Sequence, residues 1–169
     1  TPVRKIREIF RAIQLEKEKR LKGIVFLGGL SNHTDEKLKQ ISVPFVISTV
    51  SAPKLRRKYA SVTVDDEKES FRLTEYLLEC GHKKIALLAA ARQDASIGLL
   101  RLKGYQRALE KHGIPFDEEL VLYADGQPTY SMASGYAMAM RLLESGKEFT
   151  CIYAISDNIA VGACKALFN

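Results

Sequence analysis

The 169-residue chain carries 26 Lys and Arg against 20 Asp and Glu, a net charge of +6, and 46% of it is hydrophobic; it is long and apolar enough to bury a core and is excluded from the disordered class. No apolar run approaches the roughly 20 residues that a membrane helix needs, and no charged-then-apolar signal segment stands at the start. The positive charge is spread through segments that also carry Glu, and the one dense cluster, Lys54, Arg56, Arg57 and Lys58, has no groove-reading motif, so a solvated loop is expected there, with phosphate contact the alternative.

Thr1 and Pro2 read as an N-cap followed by a proline at the first helical position, and Val3, Ile6, Phe10 and Ile13 recur at helical spacing, so the chain is expected to open with a helix that Gly23 ends. Residues 24–27 form a continuous apolar run of the kind found in buried parallel strands. Gly28 and Gly29 turn the chain, a brief helix is expected over about 35–41, and 43–47 and 61–64 read as further strands. Asp65 and Asp66 precede a helix whose apolar face holds Phe71, Thr74, Leu77 and Leu78. Asp66 with Glu69 resembles a capping box, and Gly81 is the stop.

From there the rhythm is regular. Strands are expected over 85–90, 120–123 and 151–155, and helices over about 98–112, 131–145 and 158–167. Strand alternating with helix implies an α/β fold with parallel sheets flanked by helices and right-handed crossovers. The change of pace near Asp65 suggests two lobes, 1–64 and 65–169. The first holds only two or three strands, and with helical sequence running to Asn169 the chain is expected to be a fragment.

In such a sheet the loops 91–97, 124–130 and 156–157 leave one edge, where open α/β sheets bind ligands. Arg101, Tyr130 and Asp157 stand at these junctions and offer a guanidinium fork, an aromatic face and a carboxylate, a set suited to a small polar ligand. Each has a plainer alternative: Arg101 as an exposed helix-start arginine, Asp157 as a helix cap, and Tyr130 as a half-buried aromatic. Catalytic constellations are missing. His33, His82 and His112 do not cluster, and His82, just past a helix end, suits a structural role. No Walker loop, nucleophile elbow or Gly-x-Gly-x-x-Gly turn follows a strand, and no metal site or cofactor is expected. Cys80, Cys151 and Cys164 read as buried, reduced thiols.

The runs KGIVFLGG (22–29), VPFVI (43–47), VTVDD (62–66), GHKKIALL (81–88), RLKGYQRAL (101–109), SGYAMAMRLL (134–143) and FTCIYAISDNIAVGACKAL (149–167) together resemble the LacI/GalR family of bacterial transcription repressors. The resemblance covers nearly the whole chain from Lys22. It implies a two-lobed effector domain of the periplasmic-binding-protein-like type I fold, here with an incomplete N-terminal lobe (1–64), most of the C-terminal lobe (65–169) and no DNA-binding headpiece. It also implies a cytoplasmic homodimer that binds a small-molecule effector, with a sugar expected, and operator DNA through a helix-turn-helix headpiece.

On the family's motifs, the arginine of R-L-x-G-[FYW] and the aspartate of [SN]-D that bind effector correspond to Arg101 and Asp157, and the aromatic before S-G-[FY] to Tyr130. Where many members have Ile-Asp-Arg after Val-Pro, with the Asp facing the cleft, this chain has Thr49, a neutral donor and acceptor in place of an anion. The alternatives are a periplasmic sugar-binding protein of a transporter and, behind it, an enzyme on a doubly wound sheet.

Overall fold

The computed structural model describes residues 2–27, 38–49, 59–126 and 128–168, and the chain divides into two units, Thr1–Val64 and Asp65–Asn169. The glycine pair at 28 and 29, most of the brief helix expected over 35–41, His33 and the basic cluster at 54–58 lie outside the described residues.

In the first unit, α1 (Pro2–Lys19) is followed by β1 (Ile24–Leu27), β2 (Phe45–Ser48) and β3 (Ala60–Val62), which form a parallel sheet in that order. Ile9, Leu38, Ile41, Phe45 and Ile47 are buried together, with Ile13, Ile24, Phe26, Val43 and Tyr59 packed around them. The Phe45 ring stacks on Tyr59 and meets Phe26 edge-on, at centroid distances of 6.1 and 5.9 Å. Two expectations fail here. Strand β1 is not buried on both faces: Ile24 and Phe26 point to the core while Val25 and Leu27 are exposed, the alternation of a strand covered on one side. And α1 ends before Gly23, at Arg20, whose φ of +48° takes the left-handed position instead. Glu16 on α1 fastens the approach to β2, accepting from the Ser42 N–H at 3.1 Å and from its hydroxyl, contacts that hold its carboxyl below the usual range.

The second unit runs α2 (Asp66–Glu79), β4 (Ile85–Ala89), α3 (Ile97–Lys111), a 3-10 turn (Glu118–Leu120), β5 (Val121–Tyr123), α4 (Met132–Glu144), β6 (Cys151–Ala154) and α5 (Asp157–Leu167). Its sheet is parallel with the order β5-β4-β6, so the path leaves β4 to one side and then crosses back over it. With right-handed crossovers this puts α3 and α4 on opposite faces. Helix α2 packs on α3, and α4 on α5, giving a helix pair on each face of the sheet. That is why all five residues of β4 are buried, as its continuous apolar run requires.

Small residues set how closely the pairs approach. A Cβ on Gly104 would lie 2.2 Å from the Glu67 carbonyl oxygen of α2, and one on Gly162 would lie 2.0 Å from that of Met132 on α4. Beside Gly104, the buried Tyr105 donates its hydroxyl to the Ile85 carbonyl at 2.9 Å, and burial pushes its phenol up to about 12. Helix α2 ends as expected with Gly81 at φ +94°. There the His82 backbone N–H donates to the Leu77 carbonyl, while its ring nitrogen Nδ1 sits 3.0 Å from the Thr150 hydroxyl, tying the helix end to the start of β6.

The cysteines depart from their expected burial. Cys80 and Cys164 are exposed, one at the cap of α2 and one on the outer side of α5, Cys151 is half-buried, and all three are free.

Candidate functional site

The carboxyl ends of β4 and β6 lie where the strand order reverses, the position at which loops leave an open parallel sheet in opposite directions and a crevice opens. Arg101, on the second turn of α3, reaches across this point. Its Nε donates to Asp66 Oδ1 at 2.8 Å, Nη2 lies 2.7 Å from the same oxygen, and Nη1 donates to the carbonyl of Ile155, just past β6. The Asp66 side chain is 7% exposed and that of Arg101 is 32% exposed, so the carboxylate is enclosed while the arginine side chain stays partly open to solvent. The backbone at Arg101 is fixed as well: its carbonyl accepts from the Ser70 hydroxyl at 2.6 Å, and Ser70 Oγ accepts from Tyr153 OH at 2.9 Å.

This arrangement corrects the expected capping box at α2. The cap is Asp65, whose Oδ1 accepts from the Lys68 N–H at 3.1 Å, and Glu69 pairs with Arg72 rather than reaching back. Asp66 is thereby left to hold Arg101, the first turn of α2 meeting the second turn of α3 close to the contact at Gly104.

Tyr130 stands next to this pair. Its hydroxyl donates to Asp94 Oδ2 at 2.7 Å, and its carbonyl accepts from Asn158 Nδ2 of α5 at 3.3 Å. Burial, then the hydrogen bond to Asp94, push the phenol well above its ordinary value, while the charge of Arg101 acts in the opposite sense. Asp94 is itself set by a turn: its Oδ1 accepts from the Ser96 N–H at 2.8 Å and from the Ser96 hydroxyl. A Cβ on Gly98 would come within 2.9 Å of Asp94 Oδ2, which places this carboxylate over the first turn of α3.

Asp157 is the first residue of α5, and Ser156 is the cap, accepting from the Ile159 N–H at 3.5 Å. The aspartate is thus not needed for capping. It is exposed, and among the described residues its carboxylate has no hydrogen-bond or ion-pair partner. Arg101, Tyr130 and Asp157 are brought to one edge of the second unit, through the Ile155 carbonyl on one side and Asn158 on the other.

Thr49 belongs to the first unit. It follows β2 at φ +70°, its N–H donates to the Val62 carbonyl at 2.9 Å and its hydroxyl to the Ser48 carbonyl at 2.6 Å. A β-branched residue in the left-handed region is strained, and the bond to β3 holds it there.

Asp66, Asp94 and Ser70 were missed at the sequence level. The Asp94-x-Ser96 turn ahead of a helix was a readable signal; the reach of Asp66 to Arg101, 35 positions away, was not.

Three comparisons show what the chain as a whole is similar to. Residues 2–169 match the family described as periplasmic binding proteins and sugar binding domain of LacI family. The chain is 33% identical over 156 residues to the HTH-type transcriptional regulator MalR of Clostridium butyricum, covering 90% of this chain and 45% of that protein. Among solved structures it is similar to the transcription regulator CcpA of Lactococcus lactis (30% identity, TM-score 0.76, covering 96% of this chain and 57% of that one) and to a complex of the transcriptional regulator CelR with cellobiose (29%, 0.71, 95% and 48%). The chain thus spans about half the length of the relatives it matches.

Proposed function

The chain belongs to the family of periplasmic binding proteins and LacI-type sugar-binding domains, and from that premise we propose that it is the ligand-sensing part of a bacterial LacI-type transcription regulator. The observation that carries this reading is the gathering of Arg101, Tyr130 and Asp157 at the carboxyl ends of β4 and β6. Arg101 presents a clamped, partly exposed guanidinium to ligand hydroxyls, the Tyr130 ring is a stacking face, and Asp157 is an acceptor with no partner among the described residues. Thr49, from the first unit, is proposed as a further contact, a hydroxyl in place of a charge.

The effector is proposed to be a sugar, and the complex of CelR with cellobiose is one relative for which such a ligand is named. A transporter's binding protein fits less well, because the relatives named above are transcription regulators. Regulators of this kind are not enzymes, and no turnover is part of the reading. In the full-length protein the effector acts through its differential affinity for two states, one of which holds operator DNA through a helix-turn-helix headpiece.

The protein is proposed to be cytoplasmic and, because a two-fold operator needs two headpieces, a homodimer. The apolar stripe of Met132, Tyr136 and Val161 along α4 and α5, of which Met132 and Val161 are more than half exposed, is a surface that suits a second copy. Sedimentation of the full-length protein as a monomer at operator-binding concentrations would contradict that assignment. For the effector role, Arg101→Ala in the full-length regulator should abolish sugar-dependent release of DNA while a melting curve still shows a folded protein. Release at the wild-type sugar concentration would overturn the role of Arg101.

A further inference from the structure

The carboxyl edge of a parallel sheet normally attracts anions, because helix N-termini converge there and point free N–H groups and the positive ends of their dipoles outward. In the second unit these positions are filled by the chain's own carboxylates. Asp65 and Asp66 stand at the mouth of α2, Asp94 lies over the first turn of α3, and Asp157 is the first residue of α5. Among the described residues α4 has no acid at its opening, and there Ser131 and Ser134 occupy the end with a reciprocal capping box.

The arginines of this edge are answered in the same way. Among the described residues Arg101 is paired with Asp66, and Arg92 lies 3.3 Å from Glu118 with its guanidinium over the Tyr123 ring. Arg141, which donates to the Tyr123 carbonyl at the end of β5, stands 3.5 Å from Asp125. A ligand approaching Arg101 therefore meets a guanidinium already neutralised by Asp66, a phenol that donates to Asp94, and the exposed carboxylate of Asp157, which among the described residues has no ion-pair partner.

Resting on the effector reading above, we infer that this edge selects a neutral or cationic polyhydroxy ligand and refuses its phosphorylated counterpart. The neutral hydroxyl of Thr49 is consistent with that selection but does not carry it. Selectivity comes from repulsion: a phosphate placed against Asp94 and Asp157 meets like charges, whereas a sugar hydroxyl or an ammonium group donates to them.

The test is a thermal-shift and calorimetric series on the full-length protein with glucose, maltose, cellobiose, glucosamine, the 6-phosphates of the three neutral sugars, and inorganic phosphate. The expected result is stabilisation by at least one unphosphorylated sugar, with its phosphate ester binding at least about tenfold more weakly and inorganic phosphate giving no shift. The double variant Asp94→Asn/Asp157→Asn should narrow that ratio by raising the affinity for the ester. A phosphate ester that binds as tightly as its parent sugar, or a ratio unchanged in the double variant, overturns the charge selection and leaves the effector reading standing. No stabilisation by any compound overturns the effector reading itself.

Discussion

Arg101 is held through its side chain by Asp66 and Ile155 and through its backbone by Ser70, so it is as much a structural residue as a binding one. Removing it leaves an enclosed carboxylate without its cation, and Arg101→Ala should cost about 1.5–3 kcal/mol in urea unfolding. A double-mutant cycle with Asp66→Asn separates the pair from the general loss of packing. A coupling of about 1 kcal/mol or more is expected, and one below about 0.3 kcal/mol would contradict the pairing. Tyr105 gives a second test at this scale. Its phenol is pushed up to about 12 in the fold, whereas tyrosines of the unfolded chain ionise from about pH 10. The unfolded state loses the proton first, so this contribution to stability is whole below about pH 10 and is lost as the pH rises through about 12. Unfolding free energies measured between pH 8 and 11.5 should fall more steeply for the wild type than for Tyr105→Phe; parallel curves would mean that the phenol is not held neutral by the fold. The roles read from residue types alone were partly visible. Arg101, Tyr130 and Asp157 could be placed at one edge because each stands in or just past a loop that leaves a parallel strand, but the partners that fix them come from other elements, and local spacing carries no record of them.

At the scale of elements, the parts most legible in the sequence were those whose signal is local. Strand β4 is a continuous apolar run because helices cover both faces, and the start of α4 is announced by Ser131. Ser131→Ala should lower stability by about 1 kcal/mol, read as a shift in the urea midpoint with an unchanged slope. A change of slope would point instead to loss of cooperativity. The approach of α2 to α3 at Gly104 makes a firmer claim, because a methyl group there meets backbone rather than a flexible side chain. Gly104→Ala should destabilise by about 1–3 kcal/mol or more despite alanine's better helix propensity, and a stabilised variant would contradict the close packing. What local pattern did not reveal is just as specific. Thr49 takes a left-handed conformation that its side chain disfavours, held by a bond to a strand 13 positions on, and Arg20 rather than Gly23 turns the chain after α1. The apolar run of β1 suggested burial on both sides, but a strand's sequence does not say whether its second face is covered.

For the whole molecule, the family carries the α/β fold of parallel sheets flanked by helices. The carboxyl edge of the second unit's sheet is proposed as an effector site. Asp157 tests it most cleanly, because it is exposed, Ser156 already caps the helix, and among the described residues its carboxylate has no partner to lose. The measurement is a calorimetric titration of the stabilising sugar into the full-length protein and its Asp157→Ala variant, with ligand-free melting of both. Ligand-free stabilities within about 0.5 kcal/mol of each other are expected, with an affinity at least about tenfold weaker in the variant, which corresponds to about 1.4 kcal/mol. An unchanged affinity, with both proteins equally stable, would contradict the effector site.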